Sequence, residues 1–173
     1  LNWLDEQIVD YINPQLYWEI GHELADYAKL LPWWTTVLNG RHLYVGHYSS
    51  KMMSPRYEGE LSQIGDQIRM NRNYEKVHGS VFFSAKSICY DWNSFADSLG
   101  SNFYKYPAFP PRMPWKDDIA PLPPQNLTAE IDSDRVHLNW ELPEVASDGD
   151  NAEYFVIYKF KDGEEISLDN PKN

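Results

Sequence analysis

Residues 42–48 have the sequence HLYVGHY, and this short apolar run decides the predicted fold. Two further runs of the same kind flank it, IVDYINPQLYW at residues 8–18 and VHGSVFFS at residues 77–84. The earlier run is punctuated by Asn13-Pro14-Gln15. Short, mostly apolar runs are typical of strands that are buried on both faces. We therefore predict three strands, the first of them buried on both faces.

Helical periodicity lies between these strands and after the third. The first helix is predicted from apolar residues at helical spacing, namely Leu24, Tyr27, Ala28, Leu31 and Trp34. We expect Pro32 to kink this helix and Asn39-Gly40 to cap its end. The second helix is predicted from an apolar face made of Leu61, Ile64 and Ile68. A third is predicted over residues 93–99, with Gly100 as its cap. Three strand and helix cycles predict βαβ units on a parallel sheet, which is an α/β fold.

The pattern changes at a proline-rich stretch. Residues 106–124 contain seven prolines, which favour an extended connector and mark a domain boundary. Beyond it, apolar and polar residues alternate over residues 126–131 and 135–142, which predicts antiparallel strands with one buried face. Further strands are predicted over residues 153–160 and 164–168, joined by a hairpin turn. These are about four strands of a β-sandwich of the immunoglobulin or fibronectin kind, which has about seven.

Composition limits the classes of function. The chain of 173 residues carries a formal net charge of -11, whereas a general nucleic-acid binder needs a basic surface. Its apolar runs are far shorter than the roughly 20 residues of a membrane span. The single cysteine, Cys89, excludes an internal disulfide. We therefore predict no nucleic-acid partner and no membrane span.

Three segments of the first half resemble a known bacterial family. They are DYINPQLYW at residues 10–18, LYVGH at residues 43–47 and GSVFFSA at residues 79–85. They resemble the last three strands of the bacterial glycosyl-hydrolase-like family ten, whose fold is a (β/α)8 barrel of the TIM type in secreted or lipoprotein-anchored proteins. The resemblance implies that residues 1–106 are the C-terminal part of such a barrel. It also implies that the earlier strands lie upstream of Leu1.

The second half resembles a different family. The segments PPQNLTA at residues 123–129, VHLNW at residues 136–140 and YFVIY at residues 154–158 are similar to the first strands of a fibronectin type III domain. Such a domain commonly follows this barrel. The resemblance implies that residues 107–124 are a proline-rich linker. It also implies that residues 125–173 are the N-terminal part of a fibronectin type III-like domain.

The resemblance also implies a function. The protein would be a glycoside hydrolase that acts on a cell-envelope or extracellular polysaccharide, with carbohydrate as its partner and no cofactor. The main catalytic carboxylates are expected on the upstream strands, so this chain alone would be inactive. The alternative is a noncatalytic carbohydrate-binding or structural envelope protein. We expect an extracellular or cell-envelope location, and we expect the open sheet edges to cause self-association.

Candidate site residues follow from barrel geometry, in which groups at the carboxyl ends of the strands converge on the active site. The candidate substrate-binding residues are Asn13, Gln15, Tyr17, Trp18 and His47, and the candidate catalytic residue is Glu19. Aromatic faces stack on sugar rings, and amides or imidazoles hydrogen-bond to hydroxyl groups. Glycoside hydrolysis usually needs a pair of carboxylates, and Glu19 is the only one predicted near a strand end.

Each candidate has a second interpretation. Tyr17 and Trp18 suit core packing equally well, and His47 suits a hydrogen-bonded core histidine. Glu19 suits the start of the next helix, where the helix dipole favours negative charge. Tyr48 is expected only to cap its strand. The solvent exposure of Trp18 and His47 decides between binding and core. The other histidines lack the spacing of a metal-ligand set, so no metal site is predicted.

Overall fold

The computed structural model describes residues 2–54 and 62–163. The chain divides into two compact units at the boundary between Pro111 and Arg112. The first unit contains the predicted strand and helix cycles, and the second contains the predicted antiparallel strands. Across the described residues, no helix is both long enough and apolar enough to cross a membrane.

The first unit is a three-stranded parallel sheet with helices between the strands. Its elements in chain order are α1 (Asn2–Asp5), β1 (Tyr11–Ile12), α2 (Tyr27–Thr36), β2 (His42–His47), α3 (Ser62–Asn71), β3 (Val77–Phe82), α4 (Ala85–Cys89) and α5 (Phe95–Ser98). A 3-10 helix, Ser49–Met53, follows β2, and a π-helical turn, Leu99–Phe103, follows α5. The strands pair in the order β1-β2-β3, and both pairings are parallel. This unit is therefore an α/β structure, as the strand and helix cycles predict.

The central strand β2 has two different faces. Leu43 and Val45 are buried in a core cluster with residues of α2. Because side chains alternate along a strand, Tyr44 and Gly46 lie on the other face. There the Tyr44 ring meets the Tyr11 ring of β1 edge-on, with the ring centroids 5.4 Å apart. We call this second face the open face, because α2 packs on the opposite one.

A second core cluster involves α3 and the segment after β3. It consists of Met52, Ile64, Ile68, Phe95, Leu99 and Phe103. Ile64 and Ile68 are one turn apart on α3, as their helical spacing predicts. Leu61, the third residue predicted for this helix face, lies outside the described residues. The two buried isoleucines fix the face that α3 turns toward the core. Gln63 and Gln67, which directly precede them, lie beside that face.

The predicted cap of α2 is wrong. The helix begins after Asp26, ends at Thr36 and has Val37 as its C-cap. Asn39 and Gly40 instead form a turn before β2, with left-handed φ angles of 49° and 81°. A helix cap and a tight turn favour the same backbone conformation, so the Asn-Gly pair alone cannot distinguish them.

The region predicted as one helix over residues 93–99 is broken into short turns. A 3-10 turn spans Trp92–Ser94, and the short helix α5 follows it. The helix α4, which precedes this turn, was not predicted. Gly100 lies inside the π-helical turn and is not a cap. Three of the residues in 91–94 have positive φ angles, which a continuous α-helix excludes.

The second unit contains an antiparallel hairpin. β4 (Gln125–Asp132) pairs with β5 (Arg135–Glu141), and Ile131 lies opposite Val136. The turn between the strands includes Ser133 in a left-handed conformation, with φ 53°. The alternation of apolar and polar residues therefore predicts the position of these two strands correctly. The predicted buried face is wrong, because every residue of β4 is exposed and only Leu138 and Trp140 of β5 are partly buried.

The strand predicted over residues 153–160 is not formed. This segment joins neither sheet of the described chain, and it packs through side chains instead, with the Phe155 ring 5.6 Å from the Trp140 ring of β5. Alternation predicts which face of a strand is apolar, but it does not tell whether a partner strand is available. The strand predicted over residues 164–168 lies outside the described residues.

Gly46 lies where the continuation of β1 approaches β2. A Cβ atom at Gly46 would lie 3.0 Å from the carbonyl oxygen of Pro14 and 3.0 Å from Oδ1 of Asn13. We predict that Gly46→Ala lowers the free energy of unfolding by about 1–3 kcal/mol, because backbone has to move to relieve the contact. The matched control is Gly100→Ala, where nothing lies within 4 Å of the added atom. Urea unfolding measures both variants, and equal stabilities would contradict the expected clash.

Candidate functional site

Three aromatic side chains meet where the parallel strands end. Tyr17 follows β1, Tyr48 follows β2 and Phe83 follows β3. The ring centroids of Tyr17 and Tyr48 are 5.2 Å apart, and the Phe83 centroid lies 6.2 Å from the first and 6.4 Å from the second. The angles between the ring planes are 24°, 32° and 29°. We call these three residues the strand-end aromatic cluster.

Backbone hydrogen bonds fix the segments that carry this cluster. The N–H of Leu16 donates to the carbonyl of Gly46 at 3.0 Å. The N–H of Phe83 donates to the carbonyl of His47 at 2.9 Å, and the N–H of Ser50 donates to the carbonyl of Phe83 at 2.8 Å. These bonds extend the contacts between the strands past their last paired residues. The cluster is therefore attached to backbone that is held in place.

Alternation along the strands explains which aromatic residues reach the cluster. Tyr48 is two residues beyond Gly46 and shares the open face with it. In β3, Phe82 packs against the second core cluster and stacks on the His47 ring, so the next residue, Phe83, lies on the open side. Tyr48 is 40% exposed and Phe83 is 55% exposed. Both rings can therefore contact a ligand.

Tyr17 is more enclosed than its two neighbours in the cluster. Burial, and to a smaller extent the nearby Tyr48, raises the pKa of the Tyr17 phenol above its usual value. The hydroxyl therefore stays protonated at neutral pH and can both donate and accept a hydrogen bond. An apolar surface with neutral hydroxyl groups at its edge suits a ligand that has both flat apolar patches and hydroxyl groups.

Trp18 and Glu19 follow Tyr17 on the same segment. The Trp18 side chain is 44% exposed, so it is not a core residue of the described structure. Glu19 is exposed, and its carbonyl accepts hydrogen bonds from the N–H groups of His22 and Tyr27 at 3.2 and 3.3 Å. The carboxylate that caps α2 belongs to Asp26, which accepts from the N–H of Ala28 at 2.9 Å. The Glu19 carboxylate is therefore not the N-cap of α2, although the Glu19 backbone carbonyl lies at the start of that helix.

Asn13 and Gln15 lie beside Gly46 on the continuation of β1. Gln15 pairs with Gly46 through a parallel backbone bridge, and its side chain is exposed. Asn13 is half-buried, and its Nδ2 atom has no hydrogen-bond partner within the described ranges. A buried donor without a partner costs free energy, so a neighbouring acceptor would stabilise this side chain.

His47 does not reach the surface on which the other candidates lie. Its side chain is 0% exposed, and its ring stacks on Tyr27 and Phe82, with centroids 6.0 and 5.4 Å away. Its Nδ1 atom lies 2.9 Å from Oε1 of Gln67, and its Nε2 atom lies 3.0 Å from Oγ of Ser80. The structure contradicts the prediction that His47 binds substrate directly, because the imidazole lies on the helix-facing side of β2 and its hydrogen bonds are made inside the core.

Tyr48 and Phe83 are candidate site residues that the sequence-based prediction did not include. The signal that finds them is their position relative to the buried residues of each strand. Leu43 and Val45 lie on the buried face of β2. Because side chains alternate along the strand, Tyr48 belongs to the opposite face. In β3, Phe82 packs against the second core cluster, so the adjacent Phe83 belongs to the other face.

A group of three carboxylates lies in the second unit. Oxygen atoms of Asp117, Asp148 and Asp150 lie within 4.8 Å of one another, and all three residues are exposed. This is the only group of three or more potential metal ligands that the described part of the chain brings together. It contains none of the predicted site residues.

Comparisons with known proteins support a relationship to glycosyl hydrolases. No protein-family model matches the chain. The chain is similar to a protein named glycosyl hydrolase YngK from Bacillus subtilis (strain 168), with 37% identity over 129 residues that cover 72% of this chain and 25% of the relative. It is also similar to glycosyl hydrolase DigH from Escherichia coli (strain K12), with 27% identity over 90 residues that cover 47% of this chain and 20% of the relative. The chain therefore spans a quarter or less of the length of these relatives, and their names support a glycosyl-hydrolase-like family.

The buried imidazole of His47 predicts a pH dependence of stability. Desolvation by burial lowers its pKa from 6.5 to about 4, and only the hydrogen bond to Gln67 opposes this effect. The unfolded chain therefore binds the proton more tightly than the folded chain does. The stability contributed by neutral His47 is complete above about pH 6.5 and is lost as the pH falls toward 4, by up to about 3 kcal/mol.

Urea unfolding near about pH 7 and about pH 4, with the wild type and His47→Asn side by side, measures this loss. We expect a smaller loss in the variant, because it lacks the titrating group. An NMR titration of the His47 ring tests the same point directly. A ring that titrates near its usual value would contradict the assignment.

Proposed function

We propose that residues 1–106 are the C-terminal part of a (β/α)8 barrel in a glycoside hydrolase that acts on a cell-envelope or extracellular polysaccharide. The observation that carries the proposal is the strand-end aromatic cluster. It lies at the carboxyl ends of three parallel strands, on the face opposite α2, where barrel enzymes bind their substrates. The similarity to proteins named glycosyl hydrolases supports the reaction class.

The domain assignment is part of this proposal. Residues 1–106 would be the last three strand and helix units of the barrel, and residues 107–124 would link them to a fibronectin type III-like domain over residues 125–173. The parallel order β1-β2-β3 supports the barrel assignment, and the β4-β5 hairpin supports the assignment of the second domain. A secreted or lipid-anchored envelope protein follows from the resemblance alone.

The candidate residues have complementary roles in binding a sugar. The rings of Tyr48, Phe83 and Trp18 offer apolar surfaces on which a pyranose ring can stack. The exposed side-chain amide of Gln15 can hydrogen-bond to sugar hydroxyl groups, whereas the buried Nδ2 atom of Asn13 can do so only when the side chain turns outward. The strand-end aromatic cluster is apolar and contains no charged side chain, which suits an uncharged face of a polysaccharide better than a phosphate-rich polymer.

Hydrolysis needs two carboxyl groups on either side of the glycosidic bond. One donates a proton to the leaving oxygen, and the other attacks the anomeric carbon or activates a water molecule to do so. Glu19 is the proposed contribution of this chain, because it is exposed and lies two residues beyond Tyr17. The second carboxylate would come from another strand of the complete barrel.

A noncatalytic carbohydrate-binding or structural envelope protein is the second candidate. It is favoured by the scarcity of carboxylates at the strand ends. Among residues 13–20, 48–51 and 83–86, which follow the three strands, Glu19 is the only acidic residue. The aromatic cluster would then hold a glycan without cleaving it. In either case, β1 has a partner on one side only within the described sheet, and self-association through this edge stays a prediction.

Binding by the aromatic cluster is tested in the full-length protein that contains this chain. We predict that Tyr48→Ala, Phe83→Ala and Trp18→Ala each weaken oligosaccharide binding up to about tenfold, because each removes an aromatic contact. Calorimetric titration with the hexaoses of cellulose, chitin, xylan and starch measures the affinity. The control is Trp33→Ala, an equally exposed aromatic residue on α2. If a hexaose binds and all three variants bind it as well as the wild type, neither the strand-end aromatic cluster nor Trp18 forms the binding site.

Catalysis by Glu19 is tested separately from binding. We predict that Glu19→Gln lowers the hydrolysis of the best-bound hexaose about a hundredfold or more while leaving its affinity nearly unchanged, because the amide keeps the shape but cannot transfer a proton or attack. Release of reducing ends measures the rate. Glu23→Gln, four residues further along the same loop, is the matched control. Full activity in Glu19→Gln would remove Glu19 from the mechanism.

A further inference from the structure

Two glutamines of α3 hold the backbone on both sides of Glu19. Nε2 of Gln67 donates to the carbonyl of Trp18 at 2.9 Å. The N–H of Ile20 donates to Oε1 of Gln63 at 3.2 Å. The two glutamines are four residues apart, so they lie on the same side of the helix, one turn apart. One helix therefore fixes the main chain immediately before and immediately after the proposed catalytic residue.

The hydrogen bonds around Gln67 have only one consistent direction. The carbonyl of Trp18 can only accept, so the nitrogen of the Gln67 amide must face it. Oε1 of Gln67 then faces His47, 2.9 Å from Nδ1, and this nitrogen must carry the proton. A Gln67 amide turned the other way would place an oxygen against the carbonyl oxygen of Trp18. The orientation of Gln67 that holds Trp18 and the Nδ1-protonated tautomer of His47 therefore require each other.

The Nε2 atom of His47 has two hydrogen-bond donors beside it. With the proton on Nδ1, Nε2 can only accept, and it lies 3.0 Å from Oγ of Ser80 and 3.3 Å from Nδ2 of Asn71. Asn71 in turn accepts a hydrogen bond from the hydroxyl of Tyr27 at 2.7 Å through its Oδ1 atom. Every contact in this buried network therefore pairs a donor with an acceptor, which makes the tautomer well defined.

The position of this network argues for a role in the site. Gln67 is almost completely buried beside the core residue Ile68, where an apolar side chain of similar size would fill the space without the cost of burying an amide. The segment after Tyr17 lies beyond the last strand pairing of β1, so its backbone groups need partners from elsewhere. Gln63 and Gln67 supply them from the helix layer.

We infer that Gln63 and Gln67, with His47 setting the direction of Gln67, are positioning residues that hold Trp18 and Glu19 in place at the strand ends. Their importance for a sugar ligand rests on the proposed function. Their effect on the segment itself does not, so the two can be tested apart. His47 thus acts on the site through Gln67, although it touches no ligand.

Hydrogen exchange at residues 17–20 tests the inference without any sugar. In the full-length protein, Gln67→Met removes the donor to Trp18, and Gln63→Met removes the acceptor from Ile20. We expect each variant to raise the exchange rate of amides in this segment about tenfold or more. The control is Ile68→Val, which weakens packing on the same helix without touching the segment. Unchanged exchange in both glutamine variants, or an equal rise in Ile68→Val, would overturn the inference.

A pair of His47 variants separates the hydrogen bond from the packing of the ring. His47→Phe keeps an aromatic ring between Tyr27 and Phe82 but cannot donate to Gln67. His47→Asn loses the ring but keeps an N–H near the position of Nδ1. We expect faster exchange at residues 17–20 in His47→Phe and at least partial recovery in His47→Asn. The opposite order would show that only packing matters and would overturn the role of the tautomer.

Calorimetric titration with the same four hexaoses connects this result to the proposed function. If the wild type binds a hexaose, we expect Gln67→Met to weaken binding about fivefold or more and Ile68→Val to leave it unchanged. Faster exchange with unchanged affinity would overturn the link to the ligand site. If no hexaose binds the wild type, carbohydrate binding itself fails for these probes, and the exchange rates alone decide whether the glutamines hold the segment.

Discussion

The pairing of β2 on both of its edges is the constraint on which the first unit depends. Because β1 and β3 flank it in parallel register, β2 has no free edge within the described sheet. Its side chains alternate between the two faces of the sheet. Leu43 and Val45 build the core with α2, whereas Tyr44 and Gly46 remain on the open face. The positions of the aromatic cluster and of the buried histidine both follow from this division.

Much of the fold of the first unit could be predicted from its sequence, because apolar runs and helical spacing mark strands and helices. The three strands, α2 and the buried face of α3 are found in this way. The end of α2 and the turns after β3 could not be, since Asn-Gly pairs and short polar stretches are compatible with several backbone conformations. Burial is predicted less well, since Tyr11 of β1 is 54% exposed and Val81 of β3 is 46% exposed. In the second unit, alternation predicts β4 and β5, but it also predicts a strand over residues 153–160 that has no partner within the described chain.

The site was harder to predict than the fold. Position after a strand end was enough to name Tyr17 and Trp18 as candidates, but it did not tell which face each strand-end residue occupies. His47 was therefore placed with the ligand, although it packs against α2 and α3. Gln63 and Gln67 gave no signal at all, because a glutamine in an amphipathic helix is ordinarily a surface residue. Only the distances to Trp18 and Ile20 distinguish them.

The two faces of β2 also bear on how such a protein can change over evolutionary time. Substitutions on the open face alter the surface offered to a ligand and leave the core behind the sheet intact. Changes in ligand preference can therefore accumulate at the exposed aromatic position Tyr48 at little cost in stability, whereas Gly46 on the same face has no room for a side chain. A single-residue insertion or deletion within β2 is different, because it would exchange the two faces at once. Divergence of this strand should then proceed by replacement of residues and not by changes in its length.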